Sequence, residues 1–179
     1  MKLNSKSAVV KITNIGAPIN TAGSEYTPIF SSKEDFIAYT YRGERSMGGK
    51  QIVPNKVDIK NGIYFEDVMM SVKDEKKNWQ EPKPINALNT NGHDAVVHIS
   101  HDGQKMFIYR NVGVGAGDIY ISKLNGLNWS VPEKVKGINS NYWEGSVCLS
   151  PDEKTMYFSS ERPGGLGGRD LYFAKLFRR

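Results

Sequence analysis

The stretch that decides the fold is Ile138-Asn139-Ser140-Asn141-Tyr142-Trp143-Glu144-Gly145-Ser146-Val147-Cys148-Leu149-Ser150-Pro151-Asp152-Glu153-Lys154-Thr155-Met156-Tyr157-Phe158-Ser159-Ser160. Its pattern occurs three times. Asn20-Thr21, Asn89-Thr90 and Asn139-Ser140 each follow an apolar residue (Ile19, Leu88, Ile138). An acid stands five residues after each Asn (Glu25, Asp94, Glu144), and a serine six after each acid (Ser31, Ser100, Ser150). Turn residues come next, then the β-rich segments Phe36–Tyr41, Lys105–Arg110 and Thr155–Ser160. A glycine-bearing loop leads to Asp67-Val68-Met69, Asp118-Ile119-Tyr120 and Asp170-Leu171-Tyr172. Two copies close with Trp-x-x-Pro, Trp79 to Pro82 and Trp129 to Pro132, each Trp ten residues before the next Asn.

Copies two and three are offset by 50 residues; the first is longer because Gly43 to Glu66 replaces a short loop. A period near 50 with four short β segments is the signature of propeller blades. The expected fold is all-β: a β-propeller segment of three four-stranded blades, part of a larger ring of about six. Strand A is expected at 26–30, 95–99 and 145–149, strand B at 36–41, 105–110 and 155–159, and strand C at 66–72, 117–123 and 169–176. Strand D is expected at 78–83 and 128–134, an edge position where Pro82 and Pro132 are tolerated. The divisions are a closing strand at 8–13, blade 1 at 14–83 with its insertion at 43–66, blade 2 at 84–134, and blade 3 at 135–179 without its own outer strand. Ile52-Val53 and Ile63-Tyr64-Phe65 in the insertion suggest an extra hairpin.

Composition agrees. Among the 179 residues, Ile and Val number 27 and Leu and Ala 16, with 19 aromatics and 18 glycines, a balance favouring strands and turns. No apolar run is long enough to span a bilayer as a helix. The net charge of +5 is scattered rather than gathered into a basic block, which argues against nucleic acid. The one cysteine, Cys148, excludes an internal disulfide; Val147 and Leu149 beside it suggest a buried, inert thiol.

The run Ser150-Pro151-Asp152 with Met156-Tyr157-Phe158-Ser159-Ser160-Glu161-Arg162-Pro163-Gly164-Gly165-Leu166-Gly167-Gly168-Arg169-Asp170-Leu171-Tyr172 resembles the TolB-type, WD-like β-propeller repeat. The Asn-Ser/Thr-x-x-x-acid lead and the Trp-x-x-Pro tail are similar to the version in bacterial cell-envelope proteins. There the propeller often sits between a helical repeat domain and an OmpA-type peptidoglycan-binding domain. The insertion ending Tyr64-Phe65-Glu66-Asp67 resembles the propeller of peptidoglycan-associated lipoproteins of the type IX secretion machinery. The resemblance covers residues 13 to 176. It implies a periplasmic, outer-membrane-associated scaffold, its signal sequence outside this chain. Expected partners are envelope proteins, peptidoglycan or peptide fragments, and further blades or a second copy. The alternative reading is a substrate-gating or glycan-binding propeller attached to a hydrolase.

No catalytic constellation is readable. Asp102 and Asp152 suit tight turns between strands A and B. Asp67, Asp118 and Asp170, one per repeat, suggest a repeated hydrogen bond at a strand start rather than calcium. The glycines at 164–168 lack the Lys-Ser/Thr of a phosphate loop and lead into a strand, so they suit positive φ instead. His98 and His101 fall on opposite strand faces, and no metal or cofactor is expected. In an antiparallel blade the D-to-A and B-to-C connections share a face. That places Glu25, Asp94 and Glu144 with Arg42, Arg110 and Arg162, and with Tyr26, His93, Tyr142 and Trp143. Two readings stand: acid–arginine pairs tying blades together, or a partner-binding surface of Tyr142, Trp143, Arg162, Glu144, His93, Asp94, Glu25 and Arg42.

Overall fold

The structure, a computed structural model, describes residues 10–49, 64–112 and 116–175. Twelve strands run in chain order among them: β1 Ser24–Phe30, β2 Phe36–Arg42, β3 Asp67–Val72, β4 Lys83–Pro84, β5 His93–Ile99, β6 Lys105–Asn111, β7 Asp118–Asn125, β8 Asn128–Trp129, β9 Glu133–Lys134, β10 Glu144–Leu149, β11 Thr155–Ser160 and β12 Asp170–Lys175. They form three antiparallel sheets, β1-β2-β3-β4, then β5-β6-β7 with β8 and β9 both on β7, then β10-β11-β12. The chain is all-β, one sheet per sequence repeat. Strands A, B and C begin and end within two residues of the expected positions.

Strand D differs. It was expected to run unbroken through 78–83 and 128–134. Instead Trp79 makes an isolated bridge to Lys73, and the ladder resumes at Lys83–Pro84. In the second sheet the ladder is likewise broken between Trp129 and Glu133. Pro82 and Pro132 lie in the two gaps and have no N–H to donate. A serine hydroxyl helps bridge each gap: Ser71 Oγ donates to the Gln80 carbonyl at 2.5 Å and Ser122 Oγ to that of Ser130 at 2.6 Å. Residues 10–13 form no strand, and Val10 and Ile12 are exposed; Ala8 and Val9 of the expected closing strand lie outside the described residues. Of the expected insertion hairpin, the Gly49–Tyr64 bridge is described, while Ile52, Val53 and Ile63 lie outside the described residues.

Neighbouring sheets stack face on face. Ile29, Ala38, Val68 and Met70 of the first meet Leu88, Val96, Met106 and Ile108 of the second, with Trp129 closing the cluster. One step along, Phe107, Ile119 and Ile121 of the second meet Ile138, Val147, Met156 and Phe158 of the third. Two junctions are thus built from equivalent positions, and burial of these side chains is the main force holding the sheets together.

The repeated Asn is a clamp across each junction. Asn89 Oδ1 accepts the Val68 N–H at 2.7 Å, and its Nδ2 donates to the Val68 carbonyl at 3.1 Å. Asn139 does the same to Ile119, at 2.8 and 2.7 Å. An amide side chain carries one acceptor and two donors, so it can satisfy both backbone groups of a strand residue turned away from its own ladder. Asn20 has no such strand among the described residues; its Nδ2 donates to Asn14 Oδ1 at 2.9 Å.

The acid five residues later shapes the loop. Glu25, Asp94 and Glu144 each accept the backbone N–H and the hydroxyl of Thr21, Thr90 or Ser140. Each of those hydroxyls in turn accepts an N–H two residues on. The A-to-B turns are equally regular. Ser100 Oγ donates to Asp102 Oδ1 and accepts from the Lys105 N–H, and Ser150 repeats this with Asp152 and Thr155. Serine hydroxyl first, and backbone N–H next, hold the Asp102 and Asp152 carboxyls below the usual range. In the first repeat Asp35 replaces the missing turn Asp, accepting from Ser31 Oγ at 2.5 Å.

Cys148 corrects the expectation of a buried thiol. It is exposed, paired across from Tyr157 on the outer face of the third sheet. Strand alternation turns it away from Val147, which is buried in the core.

Candidate functional site

The D-to-A connections and the B-to-C loops meet at one end of each junction, where most of the expected site residues gather. At the first junction the end is polar. Glu66 Oε2 meets His93 Nδ1, Glu66 Oε1 accepts the Tyr26 hydroxyl at 2.9 Å, and Arg42 lies 3.8 Å from the same carboxylate. The Phe65 ring covers His93, with centroids 4.2 Å apart. Burial works to raise the Glu66 carboxyl, but the His93 and Tyr26 hydrogen bonds hold it below its usual range. Beside this cluster, a cavity of about 430 Å3 is lined by residues 21–24 and by Tyr41, Arg42, Glu44, Arg45 and Tyr64. Arg45 pairs outside with Glu81 at 2.8 Å.

At the second junction the equivalent end is aromatic. Trp143 Nε1 donates to the Tyr109 hydroxyl at 3.2 Å, and the Arg169 guanidinium lies over the Trp143 ring, 3.9 Å from its centroid. Arg169 is held there by Glu161 at 2.9 Å. Two glycines make room. A Cβ on Gly145 would stand 1.7 Å from the Trp143 ring, and one on Gly117 would stand 2.1 Å from the Tyr109 ring. Tyr142, next to the stack, is 45% exposed.

Asp94 and Glu144 are wholly buried and internally committed. Arg110 Nε donates to Asp94 at 2.5 Å and its Nη2 to the Leu88 carbonyl at 2.7 Å. Arg162 donates to Glu144 at 3.2 Å, to Ser160 Oγ and to the Ile138 carbonyl. Its plane also lies over Phe158 and Tyr172. Although Arg162 stands two residues later in its copy than Arg110, both reach the carbonyl just before the motif Asn. In these two copies the geometry supports tying pairs within the repeat. The first copy departs: Arg42 pairs with Glu66, and Glu25 with Thr21. Burial works to raise the Glu144 carboxyl, but donors from Ser160, Ser140 and Arg162 outweigh it and hold it low. Arg169, which sequence reasoning missed, supplies an exposed cation at this junction's end, its side chain 62% accessible. Position 169 holds Glu66 and Gly117 in the other copies, so no repeat signal marked it.

The strand-opening aspartates do not make one repeated bond. Asp67 Oδ2 accepts the Met47 N–H at 2.5 Å, Asp118 pairs with Lys134 at 2.7 Å, and Asp170 accepts the Gly167 N–H at 3.0 Å. Asp67 is fully buried, and its Oδ1 has no hydrogen-bond partner among the described residues. Burial, with the nearby charges of Asp94 and Glu66 adding to it, pushes its carboxyl up to about 6 against a backbone N–H that pulls the other way. Of the glycines at 164–168, Gly164 has the positive φ, 99°. His98 packs on Phe107, its Nε2 accepting the Leu149 N–H at 3.4 Å, and burial lowers its pKa. Among the described residues no three His, Cys, Asp or Glu side chains are grouped to hold a metal ion. No helix of the described residues is long and apolar enough to cross a membrane. No protein-family model and no curated protein matches the chain.

Proposed function

We propose that the three sheets are consecutive blades of a TolB-type β-propeller, and that this propeller is a non-catalytic interaction scaffold in the bacterial cell envelope. The observation carrying the reading is a contrast within one repeat. The Asn clamp and the Ser/Thr–acid turn recur with the same hydrogen bonds, while the loop ends above them carry different side chains. A constant frame with varied loops is how repeat proteins present binding surfaces. The envelope setting rests on the resemblance of the motifs, and the type IX secretion machinery is the context it favours.

Tyr142, Trp143 and Arg169 are the contact residues favoured for a partner. Aromatic side chains and arginine dominate interface energetics, and these three share one loop end with usable surface. The Arg169 fork suits a carboxylate of a peptide or of a peptidoglycan stem. Titrating the protein with soluble peptidoglycan fragments and with envelope-derived peptides, followed by tryptophan fluorescence and calorimetry, tests this. Binding that falls at least about tenfold in Trp143→Ala and Arg169→Ala, with melting temperature kept, supports it. Binding unchanged in both variants, or turnover of either ligand, overturns it.

A further inference from the structure

The molecule contains two complete junctions and, on its two outer flanks, the two separate halves of a third. On the third sheet the residues equivalent to the buried Ala38 and Val68 and the half-buried Ile29 and Met70 are Tyr157, Leu171, Cys148 and Phe173, in that order. Val68 and Ile119 are both 0% exposed, whereas Leu171 is 84%, Phe173 64% and Tyr157 48% exposed. Leu171 pairs with Ser159 in the register that Val68 has with Thr40 and Ile119 with Tyr109. That register turns its N–H and C=O away from β11, where the Asn clamp seizes Val68 and Ile119.

The first sheet carries the opposite half. Ile19, Ile37 and Tyr39, equivalent to Leu88, Met106 and Ile108, form an apolar cluster with Trp79 packed at its edge. A cavity of about 200 Å3 remains over it, lined by Ile15, Tyr26, Phe30 and their neighbours. Trp129, the equivalent of Trp79, is 8% exposed because the first sheet covers it; Trp79 is only half-buried. The polar half is also prepared. Val68 C=O accepts from the Ile85 N–H and Asn89 Nδ2, and Ile119 C=O from the Val135 N–H and Asn139 Nδ2. In the first copy Asn14 Oδ1 accepts from the equivalent pair, the Gly16 N–H at 2.7 Å and Asn20 Nδ2 at 2.9 Å. The Asn14 side chain stands where a strand carbonyl stands in the other two copies.

We infer that the outer face of the third sheet is a socket for residues 14–30 of a second copy of this chain. Asn20 of the incoming copy clamps Leu171, displacing Asn14, and Leu171 and Phe173 cover the Ile15–Tyr26–Phe30 cavity. The Glu25 N–H then meets the Arg169 carbonyl, as the Asp94 N–H meets that of Glu66 and the Glu144 N–H that of Gly117. A second copy is the occupant these surfaces call for, because this chain itself displays both halves. The contact is head-to-tail, and two copies joined this way twice make a closed ring of six sheets. The inference rests on the repeated registers, and stands apart from the proposal of an envelope scaffold.

Light scattering with size-exclusion chromatography reads the mass, and the expected particle is twice the 20.0 kDa chain. Leu171→Arg weakens self-association at least about tenfold, and so does Asn20→Ala. Mixing those two variants restores dimers, because one of the two contacts in the mixed pair is intact. In a Phe30→Cys variant a short bifunctional maleimide links position 30 to Cys148 between chains. A particle of single-chain mass overturns the inference, whether Cys148 is then reactive or covered. So does association indifferent to Leu171→Arg, absence of rescue in the mixture, or links only between two Cys148 thiols.

Discussion

The two junctions between sheets are alike at the bottom and unlike at the top. Below, each has an Asn holding both backbone groups of a strand residue, and an arginine reaching the carbonyl just before that Asn. Above, the first junction sets Glu66 against His93, Tyr26 and Arg42, and the second sets Trp143 against Tyr109 and Arg169. The lower layer satisfies buried backbone groups, so its chemistry has few solutions. The upper layer faces solvent, and its side chains are free to differ with what they meet.

The largest effect expected is at the first junction's core. Trp129→Ala should cost about 3–5 kcal/mol, by lost burial and the cavity left behind. Trp79→Ala, at the same repeat position but half-buried, should cost no more than about 2 kcal/mol. Urea unfolding of both variants checks this; equal losses would mean that the two tryptophans have equivalent surroundings.

Gly145→Ala addresses the second junction's upper layer. Its new Cβ cannot coexist with the Trp143 ring, so the ring must move off Tyr109. The expected loss is about 1–3 kcal/mol, with a shifted Trp143 emission spectrum. An unchanged spectrum would mean that the stack is not formed.

Asp67 gives the first junction a pH dependence. Its carboxyl titrates near 6 in the fold against an ordinary 3.8, so folding favours the protonated form. Its contribution is fully present below the ordinary value and is lost as pH rises through about 6. The stability of Asp67→Asn relative to the parent should therefore rise by about 1–2 kcal/mol between pH 5 and pH 8. A relative stability that falls over this range would show that the ionised carboxylate is favourably held.

Strands A, B and C were legible because type is kept at fixed spacing from the motif Asn, and because turn chemistry is local. Strand D was legible in place but not in continuity: Pro82 and Pro132 break it, and serines of the adjacent strand bridge the gaps. Cys148 was misread from its apolar neighbours, although alternation with Val147 already put it on the other face. The tying role of Arg162 was open in the sequence. Its shared target with Arg110 depends on the reach of a long side chain, which spacing does not encode. Asn14, Gly145 and Arg169 carried no repeat signal, since each does something its counterparts do not.

Hydrogen exchange at two amides tests the central claim, that the asparagines of the second and third repeats each clamp the strand of the repeat before. Asn89→Ala should speed exchange of the Val68 N–H by at least about tenfold while leaving Ile119 protected, and Asn139→Ala should do the reverse. Rates at both amides that stay unchanged in both variants, or that rise equally in each, would contradict it.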